Sequence, residues 1–256
     1  PLDVATRQAS EMVINTISSS LPELVGGSAD LTGSNNTQGR KLEVINSTNY
    51  NGNYIYYGIR EHGMASIMNG LSLHKGIIPF GGTFLIFLDY CKPSLRLAAL
   101  MKQRAIYILT HDSIGLGEDG PTHQPVEHLS ALRAIPNMLI FRPGDAVETV
   151  EAWQTAIEFT SGPSVLALSR QALAQFRYGD MNENKTAKGA YVAVDCDVAR
   201  QITLLASGSE VEIAIDAQKQ LSSAGIAAAV VSVPCMELFA AQSAKYHAEV
   251  LGQTPR

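Results

Sequence analysis

The stretch AIYILTHDSIGLGEDGPTHQP, residues 105–125, decides how this chain is read. Ala105 to Thr110 are apolar up to the last residue, which predicts a strand buried on both faces. The rest is a run of glycines, prolines, acids and two histidines without helical or strand period. A buried strand that empties into a long polar loop suits a parallel α/β sheet, whose ligands bind beyond the carboxyl ends of the strands.

The alternation repeats on both sides of this stretch. Residues 3–19 place Val4, Met12, Val13, Ile14 and Ile17 on one helical stripe. ELVGGSAD (23–30) predicts a buried strand, and the Asn-, Ser- and Gly-rich residues 32–53 a long loop of the kind that is usually functional. A strand at 54–58 runs into a helix from about Arg60 to His74, with Met64, Ile67 and Leu71 as its buried face. Further elements are a strand at 76–80, a helix at 84–101, the strand at 105–110, a helix at 126–134, a strand at 138–141, a helix at 145–160 and a strand at 164–168. The expected fold is therefore α/β, a parallel sheet flanked by helices over residues 1–174. Residues 175–189 turn polar and lose period, which predicts a linker. A second unit, 190–256, offers strands at 190–194, 201–206 and 226–232 and a helix at 209–223. One crossover cannot cover both faces of a parallel sheet, so this second α/β domain is expected to be incomplete.

Composition narrows the classes. The 256 residues carry a net charge of −5 and are 46% hydrophobic, with a pI near 5.7. No basic footprint for nucleic acid is present. Cys91, Cys196 and Cys235 are too scattered for a disulfide framework or a zinc pattern. The longest apolar stretch, 76–88, is interrupted by Pro79, Gly81 and Gly82 and falls short of a membrane span. The N-terminal residues lack the apolar core of a signal peptide. A cytoplasmic protein without nucleic-acid or membrane partners is the expectation.

Several residues stand where the strands should end. GLGEDG (115–120) matches G-x-G-x-x-G, but Glu118 and Asp119 would oppose a pyrophosphate there, and Pro121 and Pro125 delay any helix start. The loop's His111, Asp112, Glu118, Asp119 and His123 lack metal-ligand spacing and suit the recognition of a polar ligand, or simply a solvated acidic loop. Glu61 opens a helix, where the dipole favours a carboxylate. Burial beside Ile59 and Met64 would instead raise its pKa and let it share a proton with a heterocycle nitrogen. Phe84, Phe87 and Tyr90 recur at i, i+3, i+6, a helical stripe that serves either as core or as a platform for a flat ring. Arg7, Ser34, His111 and Arg170 are scattered; if they converge, they suit a phosphorylated substrate, since Arg forks match phosphate.

GGSADLTGSN, YGIREHGM, GGTFLIFLDY, HDSIGLGEDGPTHQP, SRQAL (169–173) and GSEV (208–211) together resemble the transketolase family, in order and spacing, over essentially the whole chain. The resemblance is to the pyrimidine-binding domain and the first part of the C-terminal domain. It implies that Glu61 hydrogen-bonds N1′ of the thiamine diphosphate aminopyrimidine, favouring the tautomer that removes the thiazolium C2 proton. It further implies that Phe87 stacks on the pyrimidine with Phe84 and Tyr90 completing the pocket, and that Asp30 lies near the cofactor at the subunit contact. His123 would contact the donor ketose and act in catalysis with Glu61. Asp119 would recognise the C2 hydroxyl, and Arg7, Ser34, His111 and Arg170 would hold the sugar phosphate. The family's N-terminal domain, which grips the diphosphate and its divalent metal (Mg or Ca), has no counterpart in these residues. The expectation is thus a homodimeric transferase of the pentose phosphate pathway with sugar phosphates as substrates, this portion being inactive by itself. A dihydroxyacetone synthase-like ketol transferase and a non-catalytic partner subunit are the alternatives.

Overall fold

The computed structural model describes residues 2–179, 181–253 and 255. Its main sheet is built from β2 (Leu24–Ser28), β3 (Tyr54–Tyr56), β4 (Ile78–Phe84), β5 (Ile106–Thr110), β6 (Leu139–Phe141) and β7 (Ser164–Leu168). All pair in parallel, in the order β3-β2-β4-β5-β7-β6. A short β1 (Val4–Ala5) pairs antiparallel with β8 (Ala172–Leu173) and ties the N-terminus to the end of this unit.

Both faces of the sheet are covered, which is why β5 is apolar up to its last residue, Thr110. On one face Tyr107 and Leu109 pack against Met64 and Met68 of α3 (Glu61–His74) and Leu88 and Leu95 of α4 (Leu88–Leu100). On the other, Ile106 and Ile108 join a core with Ile14 of α1 (Thr6–Ile17) and Trp153 of α6 (Ala146–Glu158). Trp153 stands edge-on to Phe80 and donates its indole N–H to Ser10 Oγ at 2.8 Å.

Three details depart from the periodicity. The buried face of α3 is Met64, Ala65, Met68, Asn69 and Ser72, whereas Ile67 is exposed. β4 continues to Phe84, so Gly81 and Gly82 lie inside the strand rather than at its end. A Cβ at Gly81 would come within 2.5 Å of the Met68 sulfur, and one at Gly82 within 2.6 Å of the Thr37 methyl, so close approach from both faces demands glycine there. Within the loop 32–53, α2 (Thr32–Asn35) forms a single turn that tucks Asn35 under the sheet edge.

The second sheet has the order β10-β11-β9, with β10 (Ile202–Ala206) and β11 (Ala228–Ser232) parallel through α7 (Glu210–Ser223) and β9 (Tyr191–Val194) antiparallel to β11. Two short helices follow, α8 (Met236–Ala240) and α9 (Ala244–Leu251), the latter capped by Ser243, which accepts from the Tyr246 N–H. The polar stretch between the sheets is firmly docked. Arg177 makes a bidentate pair with Glu151, at 2.8 and 3.1 Å, and Thr186 donates to the same carboxylate at 2.8 Å. Its lack of period reflects side chains spent on α6.

Acidic residues of α6 also bind the second sheet. Fully buried Glu148 accepts from Tyr191 Oη at 2.7 Å, Ser232 Oγ at 2.6 Å and the Gly144 N–H at 2.7 Å. Burial, then repulsion from Asp145, pushes its carboxyl up to about 7. The folded chain thus holds a proton there that the unfolded chain, with the ordinary value of 4.5, releases sooner. The Glu148 contribution to stability therefore falls as pH rises from the unfolded to the folded pKa. Urea unfolding of Glu148→Gln beside the native protein should show the difference shifting in the variant's favour between pH 5 and 7.5. A difference independent of pH would contradict the assignment.

Candidate active site

The strand ends bring the scattered candidates together. Arg7 on the first turn of α1, Ser34 on α2, Phe84 at the end of β4, His111 just past β5 and Arg170 past β7 line one open pocket of about 370 Å³ with Gly33, Asp119 and His123. Arg7 donates through Nη1 to the Ser34 carbonyl at 2.6 Å, so Ser34 enters the site through its backbone. Arg170 is paired with exposed Glu118 at 2.9 Å. Burial, then the Arg170 charge, lowers the Arg7 pKa, while Asp119 opposes the shift.

The aromatic residues link the two imidazoles. The Phe84 ring lies 3.8 Å from that of His111 and 5.7 Å from that of His123, and Phe87 stands edge-on to His123 at 5.4 Å. Phe84 stacks on Phe87 at 5.6 Å, and Phe87 meets Tyr90 at 5.8 Å. They are contiguous, but they do not share a helix: Phe84 ends a strand, Phe87 closes a 3-10 turn and only Tyr90 belongs to α4. Periodicity found the neighbours and mistook the scaffold.

Glu61, at the start of α3, is 92% buried (8% exposed), and no hydrogen bond or ion pair to its carboxylate is found among the described residues. Its charge acts on Cys91, whose thiol burial in the first place pushes up to about 12 and whose Sγ donates to the Phe87 carbonyl. A buried acid without a protein partner, whose charge reaches Cys91 four residues beyond Phe87, fits a ring nitrogen that can share a proton, as thiamine diphosphate offers. Asp30 is exposed just past β2 with φ 60°, outside the pocket lining.

His111 is held by residues that sequence reasoning missed. Its Nδ1 meets Thr110 Oγ at 2.8 Å, Thr110 Oγ accepts from Asn35 Nδ2 at 2.7 Å, and Asn35 Oδ1 accepts from Ser28 Oγ at 3.0 Å. A hydroxyl that accepts from Asn35 can still donate its own proton or accept a second one, so Thr110 Oγ serves His111 Nδ1 in either tautomer of the imidazole. The backbone at His111 has φ 60°, a left-handed value that histidine tolerates better than most residues. The one available signal was the polar run S-x-x-x-x-x-x-N beyond β2, which side-chain reach alone could not tie to Thr110. The glycine run 115–120 starts no helix: Ile114–Leu116 form a 3-10 turn, and the next helix, α5, spans His128–Arg133.

Comparison with known proteins agrees with this geometry. Residues 3–175 match the family model described as "Transketolase, pyrimidine binding domain", and residues 189–256 match "Transketolase-like TK C-terminal domain". The chain belongs to the transketolase family. A transketolase of Cereibacter sphaeroides is 58% identical over 253 residues, covering 99% of this chain and 38% of that relative. The solved transketolase of Leishmania mexicana superposes with a TM-score of 0.94 at 48% identity, covering 98% of this chain and 37% of that one. A Pichia stipitis transketolase in complex with sedoheptulose-7-phosphate has the same TM-score at 44% identity, covering 98% of this chain and 38% of that one. The chain thus spans a little over a third of the length of the transketolases it matches.

Burial first, then the charges of Arg7, Arg170 and His123, lowers the His111 pKa to about 4, with Asp119 opposing. Nitrogen-15 NMR of His111 should therefore show a neutral ring from pH 5.5 to 8, with a midpoint near 4. A midpoint at or above 6 would contradict the desolvated placement of the ring.

Proposed function

We propose that the full protein transfers a two-carbon ketol unit from a ketose phosphate such as xylulose 5-phosphate to an aldose phosphate such as ribose 5-phosphate, in the pentose phosphate pathway of the cytoplasm. The observation that carries this reading is the convergence of Arg7, His111, His123 and Arg170 on one pocket beside the aromatic run. Two guanidinium groups and a neutral imidazole suit the phosphate end of a sugar phosphate. They also favour phosphorylated acceptors over the formaldehyde of a dihydroxyacetone synthase.

Thiamine diphosphate, when bound, supplies the carbanion-stabilising chemistry of such a transfer. Glu61 would hold a proton at a ring nitrogen of that group from its desolvated position, where the exchange costs no competing protein contact. Phe84, Phe87 and Tyr90 would pack against the flat ring and exclude water. His123, edge-on to both the Phe84 and Phe87 rings, would donate to substrate hydroxyls and offset charge as the carbon–carbon bond breaks. Asp119, on the pocket rim, would orient the C2 hydroxyl. Arg7, the Ser34 carbonyl region, His111 and Arg170 would bind the phosphate end.

The reading assigns the diphosphate and its divalent metal, magnesium or calcium, to a domain outside this chain, and Asp30 to a homodimer contact near the cofactor. It also makes this portion inactive alone. In the full-length protein, Glu61→Gln should lower kcat by about 10²–10⁴-fold. Arg170→Ala should raise the KM for ribose 5-phosphate by about 10–100-fold with little change for an unphosphorylated acceptor. A Glu61→Gln enzyme with undiminished turnover, or equal effects of Arg170→Ala on both acceptors, would contradict it.

A further inference from the structure

Arg142 follows the last residue of β6 and is 6% exposed. It is gripped almost entirely by the second sheet's unit. Its main-chain N–H donates to the Pro234 carbonyl at 2.8 Å, and its carbonyl accepts from the Gly208 N–H at 3.0 Å. Its guanidinium donates through Nη1 to the Ser207 carbonyl at 3.0 Å, pairs with Glu210, and reaches Ser209 Oγ at 3.3 Å through Nη2. The packing there admits no side chain on Gly208: with φ +58°, a Cβ would come within 2.8 Å of the Arg142 side chain.

Its Nε donates to Asp112 Oδ2 at 2.8 Å. Asp112 is buried, and its second oxygen, Oδ1, has no hydrogen-bond partner among the described residues. Arg142 is thus the partner that makes this carboxylate tolerable inside the protein. Burial raises the Asp112 pKa and the Arg142 charge opposes that rise, consistent with this dependence. Asp112 is the residue next to His111, whose left-handed backbone and pocket-facing ring need a fixed anchor on both sides. The Thr110 relay secures one side. The Asp112–Arg142 pair secures the other.

We propose that Arg142 is a positioning residue through which the segment 207–210 of the C-terminal unit sets the placement of His111, and with it the binding of the phosphate end of the substrate. This gives the second sheet's unit a role in substrate discrimination even though none of its described residues lines the pocket. The inference rests on the sugar-phosphate reading of that pocket.

The test uses the full-length enzyme loaded with cofactor, with ribose 5-phosphate and glycolaldehyde as paired acceptors. Arg142→Lys and Gly208→Ala should each raise the KM for ribose 5-phosphate about ten-fold, since small misplacements of positioned groups carry such costs. The KM for glycolaldehyde and kcat should stay within about two-fold of native on the same reasoning. The His111 nitrogen-15 resonances should move in both variants. Glu210→Gln alters a half-exposed partner and leaves Asp112 its guanidinium. It should shift the ribose 5-phosphate KM in the same direction by about three-fold, which keeps the test readable if either other variant fails to fold. Equal changes for both acceptors, or none with unmoved His111 resonances, would overturn the proposal and leave Arg142 a purely structural residue. A native enzyme that does not distinguish the two acceptors would overturn the sugar-phosphate reading itself, and the proposal with it.

Discussion

The parallel pairing of β5 between β4 and β7 is the constraint on which the site depends. Phe84 lies in register with Thr110, and Thr110 with Leu168, so three strands end at one level. The chain leaves each of them at the same edge and delivers Phe84, His111 and Arg170 to one place from positions up to 86 residues apart. Parallel strands require crossovers, the crossovers place helices on both faces, and the helices in turn demand apolar strands. The pocket is polar because it stands just outside that apolar slab, where backbone and side chains again meet water.

Much of this was legible in the letters. The strand 105–110 and its polar loop announced both the sheet and the edge where chemistry belongs, since an apolar run followed by His, Asp and Gly has few other uses. The scattered Arg7, Ser34, His111 and Arg170 were recognisable by residue type, but their convergence is a property of strand order. Local periodicity misjudged Phe84, Phe87 and Tyr90, because a strand end, a 3-10 turn and a helix start can together imitate helical spacing. It placed Gly81 and Gly82 at a strand end for a related reason: glycine reads as a turn signal, whereas here the helix α3 and the Thr37 loop approach the strand too closely for any side chain.

What escaped altogether were the residues that act on other residues. Asn35, Thr110 and Ser28 line up behind His111, and Arg142 stands behind Asp112, yet none carries a motif of its own. Their signal is a polar side chain buried next to an apolar strand end, which only three-dimensional neighbours can explain. The same holds for the acids at the start of α6 and its cap. Asp145, Glu148 and Glu151 look like a solvated helix face in sequence, but they hold the connecting segment and the second sheet through buried hydrogen bonds. Buried polar groups of this kind specify one arrangement, because any other leaves charges unpaired.

The central claim is that this pocket serves thiamine-dependent transfer of a ketol unit between sugar phosphates. The most direct measurement is the product distribution of the full-length protein supplied with xylulose 5-phosphate and ribose 5-phosphate, with and without thiamine diphosphate and a divalent metal. The account predicts a two-carbon-longer ketose phosphate and a three-carbon aldose phosphate, formed only with the cofactor present. A folded, cofactor-saturated protein that forms neither product would contradict it.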